Sequence, residues 1–212
     1  MPLLPHSITP SLHPHFLFVR FGYRLLTIGY SLSAMPRILA ISGSLRAASL
    51  STAALTAASM LAPPGTEIVF YTGLADLPAF NPDLDTSDPP PAVRILRHEI
   101  GIADGLLFSS PEYARGIPGS LKNALDWLVS SSEFPEKPVA VIHTSPRSVE
   151  VQAQLRLVLT TMSARLIDEA SITLPLLGKT LDPSQIVSDP TFSAPLHLGL
   201  ENFVAAIRSI RK

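Results

Sequence analysis

From residue 35 onward the chain alternates short apolar runs with longer segments of helical period. Arg37-Ile38-Leu39-Ala40-Ile41-Ser42 is apolar at consecutive positions, the pattern of a strand buried on both faces. An Ala- and Leu-rich helix is expected over 49–61, closed by Pro63-Pro64-Gly65, and a second strand over 67–71. A long Pro-rich loop fills 72–91, followed by a helix over 93–101 and a third strand over 105–109. Pro118 opens a helix reaching about Ser131, with Leu121, Ala124, Leu125 and Leu128 on one face. A fourth strand is expected over 139–143, a helix over 149–164, a fifth strand over 166–174 and a closing helix over 194–210. Five buried strands alternating with helices give an α/β fold, a parallel sheet covered on both faces by right-handed crossovers.

Residues 1–34 read differently. They hold no acid, only Arg20 and Arg24 as fixed charges, and three of the six histidines, His6, His13 and His15. The apolar stretch from Leu25 to Ala34 is shorter than the roughly 20 residues that span a bilayer. Three origins fit this segment: a start site placed early, since Met35-Pro36-Arg37 leads straight into a strand; a targeting segment ending near Ser33 and Ala34; or a structural extension. The expected organisation is therefore an N-terminal extension over 1–34 and one domain over 35–212.

Composition narrows the function. Apolar residues make up 46% and charged residues 16%, which supports a buried core rather than disorder. The net charge of −1 argues against a nucleic-acid binder that works by phosphate neutralisation. The absence of cysteine removes disulfides, iron–sulfur clusters, thiolate nucleophiles and cysteine-ligated zinc. Proline, at 21 residues, is about twice as frequent as usual, but beyond residue 35 it falls almost entirely between the expected elements and marks stiff loops. His98 and His143 have no second ligand at useful spacing, so no metal site is expected.

Open α/β sheets bind ligands beyond the carboxyl ends of their strands. The first such end reads Ser42-Gly43-Ser44-Leu45-Arg46-Ala47-Ala48-Ser49-Leu50-Ser51. A tight turn, several hydroxyls and a planar cation are delivered to a helix N-terminus, which is a phosphate site in outline. The loop lacks both the dinucleotide glycine spacing and the P-loop ending, so a phosphate monoester fits better than a pyrophosphate or a triphosphate. The plainer alternative is that Ser49 or Ser51 caps the helix and Arg46 is a solvated charge. No G-x-S-x-G elbow surrounds these serines, which disfavours a hydrolase. The third strand runs into Pro111-Glu112-Tyr113-Ala114-Arg115-Gly116-Ile117-Pro118-Gly119, a stiff loop whose backbone and Tyr113 suit the edge of a flat heterocycle. Trp127 and Leu121 read as helix-face packing.

Gly43-Ser44-Leu45-Arg46-x-x-Ser49, with Pro111-Glu112-Tyr113 and Pro118-Gly119-x-Leu121-Lys122-Asn123-Ala124-Leu125-Asp126-Trp127, resembles the NAD(P)H-dependent FMN reductase family. Leu77-Pro78-Ala79-Phe80-Asn81-Pro82-Asp83-Leu84-Asp85 resembles the same family's loop after the second strand. The resemblance implies a flavodoxin-like three-layer sandwich whose five-stranded parallel sheet has the order 2-1-3-4-5. It implies FMN as cofactor and NADPH or NADH as co-substrate, with quinones, free flavin or similar small molecules as acceptors. Carried over by position, Ser44, Arg46, Ser49 and Ser51 would hold the FMN phosphate. Pro111, Glu112, Tyr113 and Ala114 would line the ring, and Ser145 and Arg147, after strand four, would close its other side. Many members have Asn where Ser51 and Ala114 stand. The chemistry would belong to the flavin, so no side chain is assigned as catalytic. The resemblance further implies a cytoplasmic homodimer or tetramer, with the helix carrying Lys122 and Trp127 at the interface and no membrane or nucleic-acid partner. A flavodoxin-type electron carrier and a phosphate-ester-binding module without flavin are the rival readings.

Overall fold

A computed structural model describes residues 18–21, 24–27 and 35–211. The chain divides into two compact units, Met1–Ala34 and Met35–Lys212. In the first, β1 (Phe18–Phe21) and β2 (Arg24–Thr27) pair antiparallel, with Phe18 opposite Thr27. The sequence pattern does not announce this pair. His6, His13, His15 and the Ser33–Ala34 segment lie outside the described residues.

The second unit is built on a parallel sheet. Strands β3 (Arg37–Ser42), β4 (Glu67–Tyr71), β5 (Gly105–Ser109) and β6 (Pro138–His143) lie in the order β4-β3-β5-β6. Two short strands, β7 (Arg165–Leu166) and β8 (Ile172–Thr173), extend the outer edge of β6. Counted within this unit, the order is the expected 2-1-3-4-5. The alternation of side chains divides the core between two faces. Leu39, Ile41, Leu106 and Phe108 pack on one side, and Ile38, Ala40 and Leu107 on the other. Helices α2 (Pro91–Ile102), α3 (Gly119–Asp126) and α4 (Val149–Thr161) cover the first face. Helices α1 (Leu50–Met60), α5 (Pro183–Ser188) and α6 (Pro190–Ile210) cover the second.

Three elements depart from the pattern-based expectation in their bounds, each for a local reason. Helix α3 stops at Asp126 instead of about Ser131, and 3-10-type bonds such as Leu128 N–H to the Leu125 carbonyl carry the chain onward. The guanidinium of Arg97 donates to the Trp127 carbonyl at 2.7 and 3.2 Å, so that carbonyl is already engaged from the side. Helix α4 stops at Thr161 because Ser163 takes a left-handed conformation (φ +62°), and the Ala164 N–H bonds back to the Leu159 carbonyl. The expected fifth strand over 166–174 is broken by a 3-10 turn at Asp168–Ala170. There the Ser171 hydroxyl replaces a backbone rung, accepting from Val141 N–H at 3.1 Å and donating to the Ile167 carbonyl at 3.2 Å.

Helix α5 and the first turn of the last helix were not expected. Both open on Asp-Pro: the Asp182 carboxylate accepts from Gln185 N–H in a full capping box, and Asp189 accepts from Thr191 N–H. The caps were legible; the short apolar stretch behind Asp182 hid the helix.

Ser171→Ala removes the acceptor for the Val141 N–H of a central strand. Urea unfolding is expected to show a loss of about 1–3 kcal/mol, with the slope unchanged.

Candidate functional site

The chain runs from β3 to β4 on one side of the sheet and then crosses to β5 on the other. The loops after β3 and β5 therefore diverge at their carboxyl ends, and the crevice between them is where such sheets bind ligands. A cleft of about 880 Å3 opens there, within the range of small-molecule and cofactor sites.

Its floor is the loop after β3. Gly43 is required by close approach: its N–H donates to the Ser109 carbonyl at 2.8 Å, and a Cβ would meet the Ser110 hydroxyl at 2.5 Å. Hydroxyls fold the loop on itself, with Ser44 N–H donating to Ser42 Oγ and Arg46 N–H to Ser44 Oγ. Ser42 and Thr52 share a 2.8 Å hydroxyl contact that ties the loop to α1. The Ser49 hydroxyl accepts from Thr52 N–H at 3.4 Å and is the N-cap, so the capping alternative holds for Ser49. Ser51 differs. It is 1% exposed, borders the cleft, and its hydroxyl has no hydrogen-bond partner among the described residues. A buried hydroxyl left unpaired costs about 1–3 kcal/mol, so one facing a cleft marks where a ligand oxygen belongs. The helix adds its first unpaired amides and its dipole, and exposed Arg46 makes no ion pair among the described residues. These groups fit the phosphate of FMN.

The loop after β5 forms the wall. Tyr113 and Gly116 bond reciprocally at 3.0 Å around Ala114 (φ +48°) and Arg115 (φ +61°), a tight turn with two left-handed residues and no glycine at either. The N-terminal turns of α4 hold this loop in place. The Val151 N–H donates to Glu112 Oε2 at 3.3 Å, Ile117 N–H donates to Gln154 Oε1 at 2.7 Å, and Arg115 pairs with Glu150 at 3.2 Å. Glu112 thus borders the cleft with its carboxylate already committed to a helix N-terminus. Pro111 and half-exposed Tyr113 stand beside it, and Thr144, Ser145 and Ser148 face them from the loop after β6. Ser145 is 3% exposed, accepts from Arg147 N–H through its hydroxyl, and accepts from Gln152 Nε2 through its carbonyl.

Of the ten residues singled out from the sequence, Ser44, Arg46, Ser49, Ser51, Pro111, Glu112, Tyr113 and Ser145 share this cleft; Ala114 and Arg147 do not line it. One wall was missed. Leu177–Pro183, between β8 and α5, closes the side nearest α1 and brings Lys179 to the cleft. Its position beyond the last strand was the available signal.

The long signature around Trp127 does a different job. The Asn123 side chain and Trp127 Nε1 both donate to the Pro78 carbonyl at 2.9 Å, Phe80 N–H donates to Asn123 Oδ1, and the Phe80 and Trp127 rings meet edge to face at 5.0 Å. Trp127 is fully buried, as its helix-face position implied. Asp85 is clamped by Ser130 and Arg97, which hold its carboxyl below the usual range. The motif pins the loop after β4 to α3 and stays out of the cleft.

Among the described residues no group of three or more side chains could hold a metal. His98 is exposed on α2. His143 lines a separate pocket of about 300 Å3 with Gln152, Arg156 and Ser171, and burial pushes its pKa down to about 4.

Together these features define a flavodoxin-like α/β domain with a hydroxyl-lined cleft at its switch point. The NADPH-dependent FMN reductase family model matches residues 36–176, and the chain belongs to that family. It is similar to an NAD(P)H-dependent FMN reductase of Pseudomonas aeruginosa, 42% identical over 111 residues, covering 51% of this chain and 60% of that protein. An NADPH:quinone oxidoreductase of Arabidopsis thaliana is 42% identical over 113 residues, covering 51% and 57%. The quinone reductase of Escherichia coli K12 is 30% identical over 156 residues, covering 69% and 81%. The matches thus span about 60% of the length of the first two relatives. Among solved structures, FerB, a flavoenzyme NAD(P)H:(acceptor) oxidoreductase from Paracoccus denitrificans, superposes with a TM-score of 0.70 at 30% identity, covering 82% of this chain and 98% of that one.

Two outcomes follow from this geometry. Ala114→Asn, which tolerates the left-handed region, is expected to raise stability by about 1 kcal/mol, read as a higher melting temperature. His143 is neutral in the folded state down to about pH 4 but titrates near 6.5 when unfolded. The unfolded chain therefore binds the extra proton between those values, and stability falls as pH drops through that window. His143→Gln should flatten that part of the stability–pH curve.

Proposed function

We propose that the chain is an NAD(P)H-dependent oxidoreductase that carries FMN in the cleft between the loops after β3 and β5. The observation that carries this reading is the buried hydroxyl of Ser51, without a partner among the described residues, beside the open N-terminus of α1 and exposed Arg46. Ser44, Arg46 and Ser51 would hold the phosphate, while Pro111 to Tyr113 and Thr144 to Ser145 would enclose the ring. FMN held there would supply the redox chemistry between NAD(P)H and a quinone, free flavin or similar small acceptor. The protein's share is orientation. The α4 contacts fix the ring wall before any ligand arrives, so little ordering is left for binding to impose. No acid or base is required, in keeping with a Glu112 carboxylate already bonded to Val151 N–H.

The homodimer and the cytoplasm belong to this proposal too. No helix among the described residues is long and apolar enough to cross a membrane. At the end of α3, Val129 is 67% exposed next to the pinned loop, an apolar position suited to a contact with a second copy.

Purified protein is expected to show a flavin spectrum, or to gain one with added FMN, that NADPH or NADH bleaches without oxygen. A protein that takes up no FMN sinks the reading, and bound flavin that neither nicotinamide reduces reassigns it to an electron carrier. Ser51→Ala separates ligand from scaffold. It should weaken FMN about tenfold while leaving the ligand-free protein as stable as before or more so, because an unpaired polar atom has gone.

A further inference from the structure

The wall at Leu177–Pro183 is not explained by ring binding, and it carries the second cation of the cleft. Gly178 sits at φ +81° and the Lys179 N–H donates to the Leu176 carbonyl, so the backbone beneath Lys179 is fixed by a turn. The ammonium rests 4.8 Å from the centre of the Phe192 ring, which is itself 2% exposed. A ring face steadies a cation without pairing it to an anion, so the side chain loses much of its freedom there. Lys179 forms no ion pair within 4.0 Å among the described residues. The two acids that border the cleft each accept a backbone N–H, Glu112 from Val151 and Asp182 from Gln185, so neither reaches Lys179 as an ion pair within 4.0 Å. Lys179 also acts on Asp189, but that carboxylate caps α6 through Thr191 N–H.

Charge balance says what this cation is for. A phosphate monoester carries between one and a half and two negative charges near neutral pH, roughly. On the α1 side the first helical turn holds no basic residue, and Arg46 and the helix dipole supply about one and a half positive charges together. Lys179, on the Leu177–Pro183 wall, adds a second cation to the same cleft.

We propose that Lys179, held over Phe192 on the Leu177–Pro183 loop, is a binding residue for a phosphate monoester in the cleft. This rests on the FMN reading above. Two ligands of that reading carry such a group, the 5′-phosphate of FMN and the 2′-phosphate of NADPH, and the arms of one experiment tell them apart.

Wild type, Lys179→Gln and Lys179→Arg are titrated with FMN and with riboflavin, which lacks the phosphate, following flavin fluorescence at two salt concentrations. Steady-state KM values for NADPH and NADH are then measured with saturating flavin. If the partner is the FMN phosphate, Lys179→Gln weakens FMN about tenfold, leaves riboflavin within twofold, lessens the salt dependence, and is largely restored in Lys179→Arg. If the partner is the NADPH phosphate, flavin binding is unchanged, and the KM for NADPH rises about tenfold while that for NADH holds. Equal effects on FMN and riboflavin, or no effect in either arm, overturn the proposal alone. Wild type that binds no FMN and turns over neither nicotinamide overturns the functional reading with it.

Discussion

The cleft depends on one close approach. Gly43, at the end of the central strand, lies against Ser110 at the end of its neighbour, closely enough that a methyl group would sit 2.5 Å from the serine hydroxyl. The Gly43 N–H closes the same contact on the Ser109 carbonyl. That junction sets the distance between the loop that presents hydroxyls and an open helix terminus and the loop that presents a flat wall. A side chain there would wedge the two apart, and the groups described in the cleft would no longer share one ligand.

Rigidity is supplied from outside the cleft. The turn at Ala114 and Arg115 holds two left-handed non-glycine residues, at a cost of about 1–2 kcal/mol each. It persists because α4 grips the loop at three points, through Val151 N–H, Gln154 and Glu150. On the other side of α3, Asn123 and Trp127 converge on the Pro78 carbonyl and hold the loop after β4. Backbone strain at the wall and a buried hydroxyl without a partner on the floor fall within one cleft. Both are unfavourable in the ligand-free protein, which is where ligand recognition tends to be stored.

The contrast between the two signatures is instructive. Gly43 to Ser51 reads as a site and forms the floor of the cleft. The longer run from Pro118 to Trp127 is a clamp, and its most distinctive residue is buried in the core. Spacing told which residues belong together, while their partners told what they do. Glu112 shows the same separation: its place in the cleft was legible in the chain, and its bond to Val151 N–H was not.

The sequence by itself determined the α/β alternation, the four long strands within a residue or so, and the two loops that meet at the switch point. Those features rest on local period and on buried runs, which adjacent residues encode. Only the tertiary structure decided where α3 ends, why the last strand breaks, and that the Ser51 hydroxyl at the cleft stays unpaired. The first two turn on a partner far along the chain, Arg97 for Trp127 and Val141 for Ser171, and the third on Ser51 finding no partner among the described residues. Lys179 belongs with them, because a lysine in a loop becomes part of a cleft only when folding brings Phe192 beneath it.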